Sequence, residues 1–339
     1  MRYLNDKNIL IFNAAGIGDF VELIPWLYFL KKQKNPNITI VVSDRVYEYA
    51  KKCPYVDEIF YLKSNKNHIR IFSFSTIFLF LKLIKKDYYI IINTIPLYNR
   101  LSSLLLKILV FFLKSSSINK VFIEKISDEK NHYRYYKTIF EKLEIVEEDF
   151  SDNILPSNKP IFINLNSTTK IIGINPSGNT LTNRWFFERW CELLLNINSL
   201  YKPISFLIFS DLKNYDFVKS IYDNVKYKGD FYFIRPFSID EWIGYIKRCD
   251  YIISVDSAII HIASLLKKPS IVISGPVDPE TTIPYFNREL FRFIYKKVDC
   301  SPCNYYKCPN KGDENMLCMK KVQVDDVFYV FKKLLGKDF

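Results

Sequence analysis

The feature that most constrains the fold of this chain is a regular alternation of short β-rich runs with stretches of helical hydrophobic spacing. In the first half, the predicted strands are NILIFN (8–13), NITIVVS (37–43), DEIFYL (57–62), YYIIIN (88–93) and a segment near 119–123. The predicted helices there are 19–33, 44–52, 74–85, 101–113 and 131–145. Strands that alternate with helices are typical of a parallel sheet covered by helices, so the sequence predicts an α/β fold.

A second series of the same kind follows the polar segment SDNILPSNKP (151–160), which is predicted to be a linker. Its predicted strands are 170–175, 204–209, 231–234, 250–254 and 269–274, and its predicted helices are 186–199, 212–222, 238–248, 257–266 and 323–336. Because 339 residues exceed the usual size of one core, we expect two Rossmann-like domains that face each other across a cleft. Parallel sheets bind ligands beyond the carboxyl ends of their strands, so the loops there are the candidate sites.

The positive charge of the chain is concentrated in one region. The formal net charge is +12, and residues 61–130 hold twelve Lys and Arg against four Asp and Glu. Such a region attracts phosphates on a substrate, on anionic lipid or on nucleic acid, although a solvated lysine-rich face has the same composition. Because no nucleic-acid recognition module accompanies it, we expect no nucleic-acid partner.

The apolar stretches are too short to span a membrane. Segments 71–84 and 101–113 are interrupted by Lys82 and Lys107, and they fall below the ~18 apolar residues that a spanning helix needs. Either segment has the composition of a helix that lies on a bilayer. The run at 9–12 is too short for the core of a secretory signal, so we expect a cytoplasmic protein. The composition of the two apolar segments is compatible with peripheral contact with the inner face of the cytoplasmic membrane.

The first candidate loop is AAGIGDF (14–20), between a predicted strand and a predicted helix. Gly16 and Gly18 allow close approach of a ligand to the backbone, but their spacing is not that of a dinucleotide fingerprint, which disfavours NAD binding. Two interpretations of Asp19 remain open. It caps the helix together with Glu22, or it is a catalytic base.

The second candidate loop is NPSGNTLTNRW (175–185). The backbone at Ser177 and Gly178, with the neighbouring hydroxyls and amides, is predicted to form an anion-binding nest for a diphosphate. The Arg184 guanidinium can make a bidentate contact with phosphate oxygens. An ordinary turn in which a threonine caps the next helix accounts for the same residues.

The third candidate is DSAIIHIA (256–263), after the predicted strand YIISV. Asp256 is predicted to cap the helix, and the backbone N–H groups of Ser257 and Ala258 then point outward toward a phosphate. His261 lies one turn further on the same helix face as Ser257. A histidine that is simply buried in the core is the alternative.

The fourth candidate is a group of cysteines with the spacing C-x2-C-x4-C-x9-C. Its members are Cys300, Cys303, Cys308 and Cys318. Because the chain shows no secretory signal, four close thiols favour a metal site over disulfides. Zinc or iron bound by four thiolates would hold together a loop that has little core of its own, whereas free or redox-active thiols are the alternative.

Taken together and in this order, the motifs resemble glycosyltransferase family 9, the ADP-heptose:lipopolysaccharide heptosyltransferases and their relatives. The segments that carry the resemblance are ILIFNAAGIGDFVELIPWL, YVDEIF, IGINPSGNTLTNRWFFERW, SVDSAIIHIASLLKKPSIVISGPVDPETTIPY and the CSPC loop. The combination covers most of the chain and is more specific than any single segment.

The resemblance implies a GT-B fold with a defined division of the chain. Residues 1–155 would form a Rossmann-like acceptor domain, and residues 160–322 a Rossmann-like nucleotide-sugar domain that contains the Cys-rich loop 300–318. Residues 323–339 would form a last helix that packs back toward the N-terminal domain.

The resemblance also implies functions for single residues. Asp19 matches the proposed general base, and the segment from Asp256 to His261 matches a donor-binding D-[TS]-[GA]-x-x-H element. The predicted donor-binding residues are Gly18, Ser177, Gly178, Thr182, Arg184, Asp256, Ser257, Ala258 and His261. The chain departs from the family at Asn13 and Asn183, where basic residues are usual, and Arg184 is expected to supply the missing charge.

The implied reaction is an inverting single displacement in which a nucleotide-diphosphate sugar, such as ADP-heptose, glycosylates a hydroxyl. The expected acceptor is a phosphorylated glycolipid of the lipopolysaccharide core, or alternatively a serine of a protein. Fixed dipoles and cations of the protein are expected to stabilise the charge on the leaving diphosphate, so no catalytic metal is expected. Any metal at the cysteines would be structural. The alternative from another class, motivated by Asn13 and Asn183, is a non-catalytic nucleotide-binding subunit.

Overall fold

The computed structural model describes residues 4–65, 68–69, 74–94, 131, 133–150, 154–156, 161, 163, 165, 170–303 and 305–336. The chain divides into two compact units, Met1–Pro156 and Ser157–Phe339. The helix predicted at 101–113, the strand predicted near 119–123 and most of the basic region 61–130 lie outside the described residues. In the described part of the chain, no helix has the length and apolar character needed to cross a membrane.

The first unit is built on a parallel sheet. Its strands are β1 (Asn8–Asn13), β2 (Asn37–Ser43), β3 (Glu58–Leu62) and β6 (Ile90–Asn93), with a short antiparallel pair of β4 (Ser64–Asn65) and β5 (His68–Ile69). Its described helices are α1 (Ile17–Lys34), α2 (Asp44–Ala50), α3 (Phe74–Leu83) and α4 (Arg134–Glu141). The sheet order is β3-β2-β1-β6 with all neighbours parallel, which confirms the predicted α/β class.

The centre of the first unit is formed by β1 and α1. Residues 9–12 of β1 are fully buried, as expected for a parallel strand covered on both faces. Helix α1 is buried along most of its length, and its Trp26 stacks on Phe140 of α4 with 5.5 Å between the ring centroids. This packing holds the first turn of α1, which carries Asp19, in a defined place.

The second unit is built on a larger parallel sheet. Its strands are β7 (Lys170–Asn175), β8 (Ile204–Phe209), β9 (Asp230–Ile234), β10 (Tyr251–Val255), β11 (Ser270–Ser274) and β12 (Phe291–Tyr295). Its helices are α5 (Phe187–Leu200), α6 (Tyr215–Val225), α7 (Ile239–Arg248), α8 (Ala258–Leu265), α9 (Pro279–Thr282), α10 (Leu317–Lys320) and α11 (Val324–Leu335). The sheet order is β12-β11-β10-β7-β8-β9. The five strands predicted for this unit all form, and the unpredicted β12 lies at the sheet edge with Arg292 exposed.

The final helix α11 packs within the second unit. Its Phe331 and Leu335 are buried in the same apolar cluster as the strands and α5. Just before α11, the Val322 carbonyl accepts a hydrogen bond from Trp185 Nε1 at 3.0 Å. These contacts hold α11 within the second unit, and the packing of 323–339 back toward the N-terminal unit stays a prediction.

Candidate functional site

The loop after β1 folds directly into the start of α1. Gly16 is the N-cap residue, in extended conformation with φ −81° and ψ 179°, and its backbone N–H donates to Asp19 Oδ2 at 2.9 Å. Asp19 is therefore the third helical residue, beside the buried Gly18, and its carboxylate caps the N–H of Gly16, which has no side chain to make the reciprocal bond of a full capping box. The interpretation of Asp19 as an N-cap partnered by Glu22 is wrong, because the extended backbone at Gly16 starts the helix at Ile17.

A buried polar network lies against that turn. Asn13, the last residue of β1, is fully buried, and its Nδ2 donates to Thr94 Oγ1 at 2.7 Å and to the Tyr136 hydroxyl at 3.2 Å. The Tyr136 hydroxyl donates to the backbone carbonyl of Asp19 at 3.2 Å. Burial raises the pKa of Tyr136 well above its usual value, and Tyr135 and Asp19 raise it further. The sequence motifs contain neither Thr94 nor Tyr136.

In the second unit, one amide joins the two loops that the sequence predicts to bind the donor. Asn175, the last residue of β7, shares its Nδ2 hydrogens among the Ser177 carbonyl at 3.0 Å, Ser254 Oγ at 3.2 Å and Ser257 Oγ at 2.9 Å. Strands β7 and β10 are neighbours in the sheet, which brings their carboxyl ends together. Asn175 is the first residue of the motif 175–185, but the spacing of that motif does not predict its hydrogen bonds to Ser254 and Ser257.

The turn after β7 packs against the backbone of the other loop. Asn183 Nδ2 donates to the Asp256 carbonyl at 2.6 Å. A Cβ at position 178 would lie 2.9 Å from that same carbonyl oxygen, so Gly178 is required by close approach. Asn183, which replaces the lysine that the resemblance implies, thus holds the two loops together, and its buried Oδ1 has no hydrogen-bond partner among the described residues.

Two cations lie at this turn. The Arg184 guanidinium stacks 5.1 Å from the centre of the Phe217 ring and donates to Asn214 Oδ1. The ammonium of Lys213, which comes from the loop after β8, donates to the backbone carbonyl of Asn179. The sequence motifs include Arg184 but not Lys213, so the structure adds one positive charge beside the predicted diphosphate nest.

The cysteine loop is hydrogen-bonded to the same turn. The turn Leu181–Asn183 is a short 3-10 helix. The backbone N–H of Leu181 donates to the Tyr306 carbonyl at 2.8 Å, and the Thr182 hydroxyl donates to the Tyr305 carbonyl at 2.6 Å. The predicted donor residue Thr182 therefore ties its loop to the cysteine loop.

Helix α8 begins one residue later than predicted. Ser257 is the N-cap residue with φ −167° and ψ 173°, so the prediction that Asp256 caps the helix is wrong, because the backbone stays extended through Ser257. His261 is buried in the helix. Burial raises the pKa of Asp256, whereas nearby His261 and the Thr282 hydroxyl lower it. The N–H groups that begin at Ala258 form an N-terminus of the kind that binds anionic groups.

The four cysteines of the C-terminal loop line one cavity of about 30 Å³. Burial raises the pKa of Cys318 to about 11, and the negative forms of Cys303, Cys300 and Cys308 raise it as well. The Cys308 sulfur accepts the backbone N–H of Met316 at 3.3 Å. In the described part of the chain, no three or more His, Cys, Asp or Glu side chains are arranged to hold a metal ion. The four thiols therefore line one cavity and are the ligand type of a zinc or iron site, but their side chains are not arranged around a common metal position.

Apart from the four cysteines, the predicted site residues fall into two groups. Gly18 and Asp19 belong to the first unit, at the start of α1. The others belong to the second unit, in the loops after β7 and β10 and in the helix α8 that follows β10, and Asn175 and Asn183 join the two loops. The two groups are each held by a buried asparagine at or near the end of a central strand.

Comparison with known proteins shows the family. Residues 133–313 match the model of glycosyltransferase family 9 (heptosyltransferase). Lipopolysaccharide heptosyltransferase 1 of Campylobacter coli is 24% identical over 357 residues, which cover 97% of this chain and 99% of the relative. Lipooligosaccharide heptosyltransferase 2 of Campylobacter jejuni serotype O:6 is 27% identical over 241 residues, covering 67% of this chain and 72% of the relative.

Solved structures share the fold at low sequence identity. A family 9 glycosyl transferase from Veillonella parvula matches with a TM-score of 0.70 and 16% identity over 98% of both chains. The ADP-heptose lipopolysaccharide heptosyltransferase II of E. coli matches with a TM-score of 0.68 and 15% identity, over 98% of this chain and 99% of that one. The chain is thus a sugar-transferring enzyme, and the predicted GT-B fold is confirmed. It belongs to glycosyltransferase family 9, the heptosyltransferase family.

Proposed function

We propose that this enzyme moves heptose, or a related sugar, from an ADP-sugar to a hydroxyl of a lipopolysaccharide core acceptor, at the cytoplasmic side of the membrane. The observation that carries this proposal is the pair of loops joined by Asn175. Where these loops meet, the backbone of Gly178 comes close to the loop that precedes α8. The backbone N–H groups of Gly178 and of the N-terminus of α8 are proposed to bind the diphosphate. The names of the family relatives support heptose as the sugar and lipopolysaccharide as the acceptor.

In the proposed reaction, Asp19 acts as the general base. Its carboxylate accepts the proton of the acceptor hydroxyl as that oxygen attacks the anomeric carbon. The bond from this carbon to the diphosphate oxygen breaks on the opposite face, and its electron pair leaves with the diphosphate, so the configuration inverts. The N–H groups at the start of α8 and the Arg184 guanidinium stabilise the charge that develops on the leaving group. The step uses these protein groups and needs no catalytic metal ion.

A transfer assay tests this function. We expect the purified chain, incubated with ADP-heptose and a series of truncated lipopolysaccharide acceptors, to release ADP and to add one heptose to one of the acceptors. Mass spectrometry measures the added sugar, and reactions without acceptor measure the background of donor hydrolysis. Neither ADP release nor a mass increase with any acceptor would contradict the proposal.

Two alternatives give other outcomes in the same experiments. Transfer to a serine of a protein is favoured by the four-cysteine loop through the family resemblance, and mass spectrometry of protein acceptors would detect it. A non-catalytic nucleotide-binding subunit is favoured by the neutral residues Asn13 and Asn183. It would bind ADP in calorimetry without turnover of ADP-heptose.

The four-cysteine cavity is proposed to hold one zinc or iron ion as a structural element. Four thiols in one small cavity match the number and chemistry of such a site, and the Met316 backbone N–H, which donates to the Cys308 sulfur, would stabilise a thiolate there. A solved structure with a TM-score of 0.57 to this chain, TibC of enterotoxigenic E. coli, is described as iron-containing, covering 99% of this chain and 77% of that one at 12% identity. The ion would close the loop and take no part in sugar transfer.

Peripheral membrane contact is proposed for helix α3. Its opposite face is buried, whereas Ile77, Phe78 and Leu81 are 56%, 65% and 51% exposed. Lys82 and Lys85 are exposed at the C-terminal end of the same face. Exposed apolar side chains flanked by lysines complement a bilayer that carries anionic lipid, so α3 is proposed to lie on the inner leaflet that contains the lipid-linked acceptor.

Vesicle binding tests the membrane contact. The double variant Phe78→Ser and Leu81→Ser is expected to bind phosphatidylglycerol-containing vesicles at least tenfold more weakly, because each buried side chain contributes about 1.5–3 kcal/mol. Its turnover with a soluble truncated acceptor should be unchanged. Leu212→Ser, which alters an 81% exposed leucine of the second unit, is the matched control. Unchanged vesicle binding by the double variant would contradict the contact, and a shift to a smaller species in sedimentation would instead show that this face joins two copies.

A further inference from the structure

Helix α4 places one buried tyrosine directly against the turn that carries Asp19. We infer that Tyr136 is a positioning residue for sugar transfer, which rests on the proposed function of Asp19 as the base. The Tyr136 hydroxyl lies 3.2 Å from the Asp19 backbone carbonyl, and it belongs to a helix far from Asp19 in sequence. Tyr136 does not touch the reacting atoms in this proposal; it acts through the backbone of Asp19.

The direction of each hydrogen bond in the network is determined by the atoms involved. The Asn13 amide nitrogen is a donor, so the Tyr136 oxygen accepts from it at 3.2 Å. The single hydroxyl hydrogen of Tyr136 is then directed to the Asp19 carbonyl. An ordinary phenol already carries its proton at neutral pH, and burial raises the pKa of Tyr136 further above that usual value, so the hydroxyl hydrogen is present.

The other end of the network fixes the orientation of Asn13. The Thr94 hydroxyl donates to the Phe12 carbonyl at 2.9 Å, so its oxygen accepts the second Asn13 hydrogen at 2.7 Å. Asn13 stands where the family resemblance implies a basic residue, and its amide nitrogen is engaged by two protein groups. The substitution therefore serves the placement of the Asp19 turn and does not supply a charge for the diphosphate.

Two hydrogen bonds help to define the position of Asp19. The Gly16 N–H holds its carboxylate at 2.9 Å, and the Tyr136 hydroxyl holds its backbone at 3.2 Å. A general base has to lie within hydrogen-bonding distance of the proton that it accepts, and small displacements lower the rate steeply. Loss of the Tyr136 bond should therefore slow the proton transfer and leave donor binding, for which all predicted residues except Gly18 lie in the second unit, nearly unchanged.

Tyr136→Phe tests this inference, because it removes the hydroxyl and keeps the ring. We expect kcat to fall about tenfold, which corresponds to one hydrogen bond, with the KM for ADP-heptose unchanged. Tyr88→Phe is the matched control, since Tyr88 is also fully buried. Tyr88 comes before β6, whereas Thr94 follows it, so Tyr88 lies at the other end of this strand. If Tyr136→Phe does not fold, Asn13→Ala removes the donor to the same hydroxyl and should lower kcat in the same direction.

Combining Tyr136→Phe with a substitution of Asp19 distinguishes a positioning function of Tyr136 from a general effect on stability. In Asp19→Asn, Tyr136→Phe should cause no further loss, because there is no base left to position; if Asp19→Asn has no measurable turnover, Asp19→Glu is the background. Equal losses with and without Asp19, or an unchanged kcat in Tyr136→Phe, would overturn the inference alone. High activity of Asp19→Asn would instead remove the proposed base, and the inference with it.

Discussion

Asp19→Asn is expected to reduce heptose transfer by about 10²–10⁴-fold, the usual contribution of a general base. Asparagine cannot accept the proton, but its side-chain oxygen can still accept the Gly16 N–H, so the capping contact at the start of α1 is kept. The loss of one negative charge at a helix N-terminus should cost about 0.3–1 kcal/mol of stability. Single-turnover kinetics and calorimetry with ADP-heptose measure the rate and the donor affinity, and the affinity should be unchanged.

Asp44→Asn is the control for this experiment. Asp44 is likewise a carboxylate in the first turn of a helix of the same unit, at the start of α2, although it is exposed whereas Asp19 is half-buried. It should lose a similar amount of stability and retain full activity. If Asp19→Asn keeps substantial activity, Asp19 is a helix-capping residue and another group accepts the proton.

If the cysteine cavity holds the proposed metal, Cys303→Ser is expected to lower the metal content and the melting temperature together. Purified wild-type protein should contain about one zinc or iron ion per chain, because four thiolates form a complete structural site. Metal binding is linked to folding, so the loss of one ligand weakens both. Binding must also expel the proton of Cys318, whose pKa is raised by burial to about 11, so metal affinity should fall as the pH falls. Elemental analysis and thermal melts across pH measure these effects.

Cys191→Ala provides the comparison for the cysteine variant. Cys191 is buried in α5 of the same unit and does not line the four-cysteine cavity, so its loss should leave the metal content unchanged. Transfer activity should persist in any variant that remains folded. Wild-type protein without metal but with the same stability would contradict the site, and activity lost on gentle chelation with the fold intact would mean that the ion acts in the reaction.

The fold could be predicted from the sequence to within a few residues at most strand ends. Short apolar runs such as 8–13 and 170–175 have the same bounds in the structure, because the apolar strands of a parallel sheet are determined by local composition. The edge strand β12 was not predicted, since Arg292 interrupts its apolar pattern. The starts of α1 and α8 were misplaced because extended backbone at Gly16 and Ser257 determines them, and spacing does not show it.

The candidate site was predictable where its residues lie in one loop. The neighbourhood of Ser177 and Gly178, and that of Ser257, follow from local motifs. Contacts between distant parts of the chain were not predictable. Asn13 reaches Thr94 across 81 residues and Tyr136 across 123, and such pairs arise from the order of strands in the sheet and the packing of α4 on α1. A motif search examines one segment at a time and therefore contains no information about these pairs.

The hydrogen bonds from the turn Leu181–Asn183 to the carbonyls of Tyr305 and Tyr306 have a consequence for enzyme engineering. A hybrid that received this turn from a relative, but kept its own cysteine loop, would lose the Thr182 hydroxyl and would leave the Tyr305 and Tyr306 carbonyls facing a turn that packs against a different loop in the relative. Each buried donor or acceptor left unpaired costs about 1–3 kcal/mol. Exchanges meant to alter sugar preference therefore have to move two stretches together, although 123 residues separate Thr182 from Tyr305.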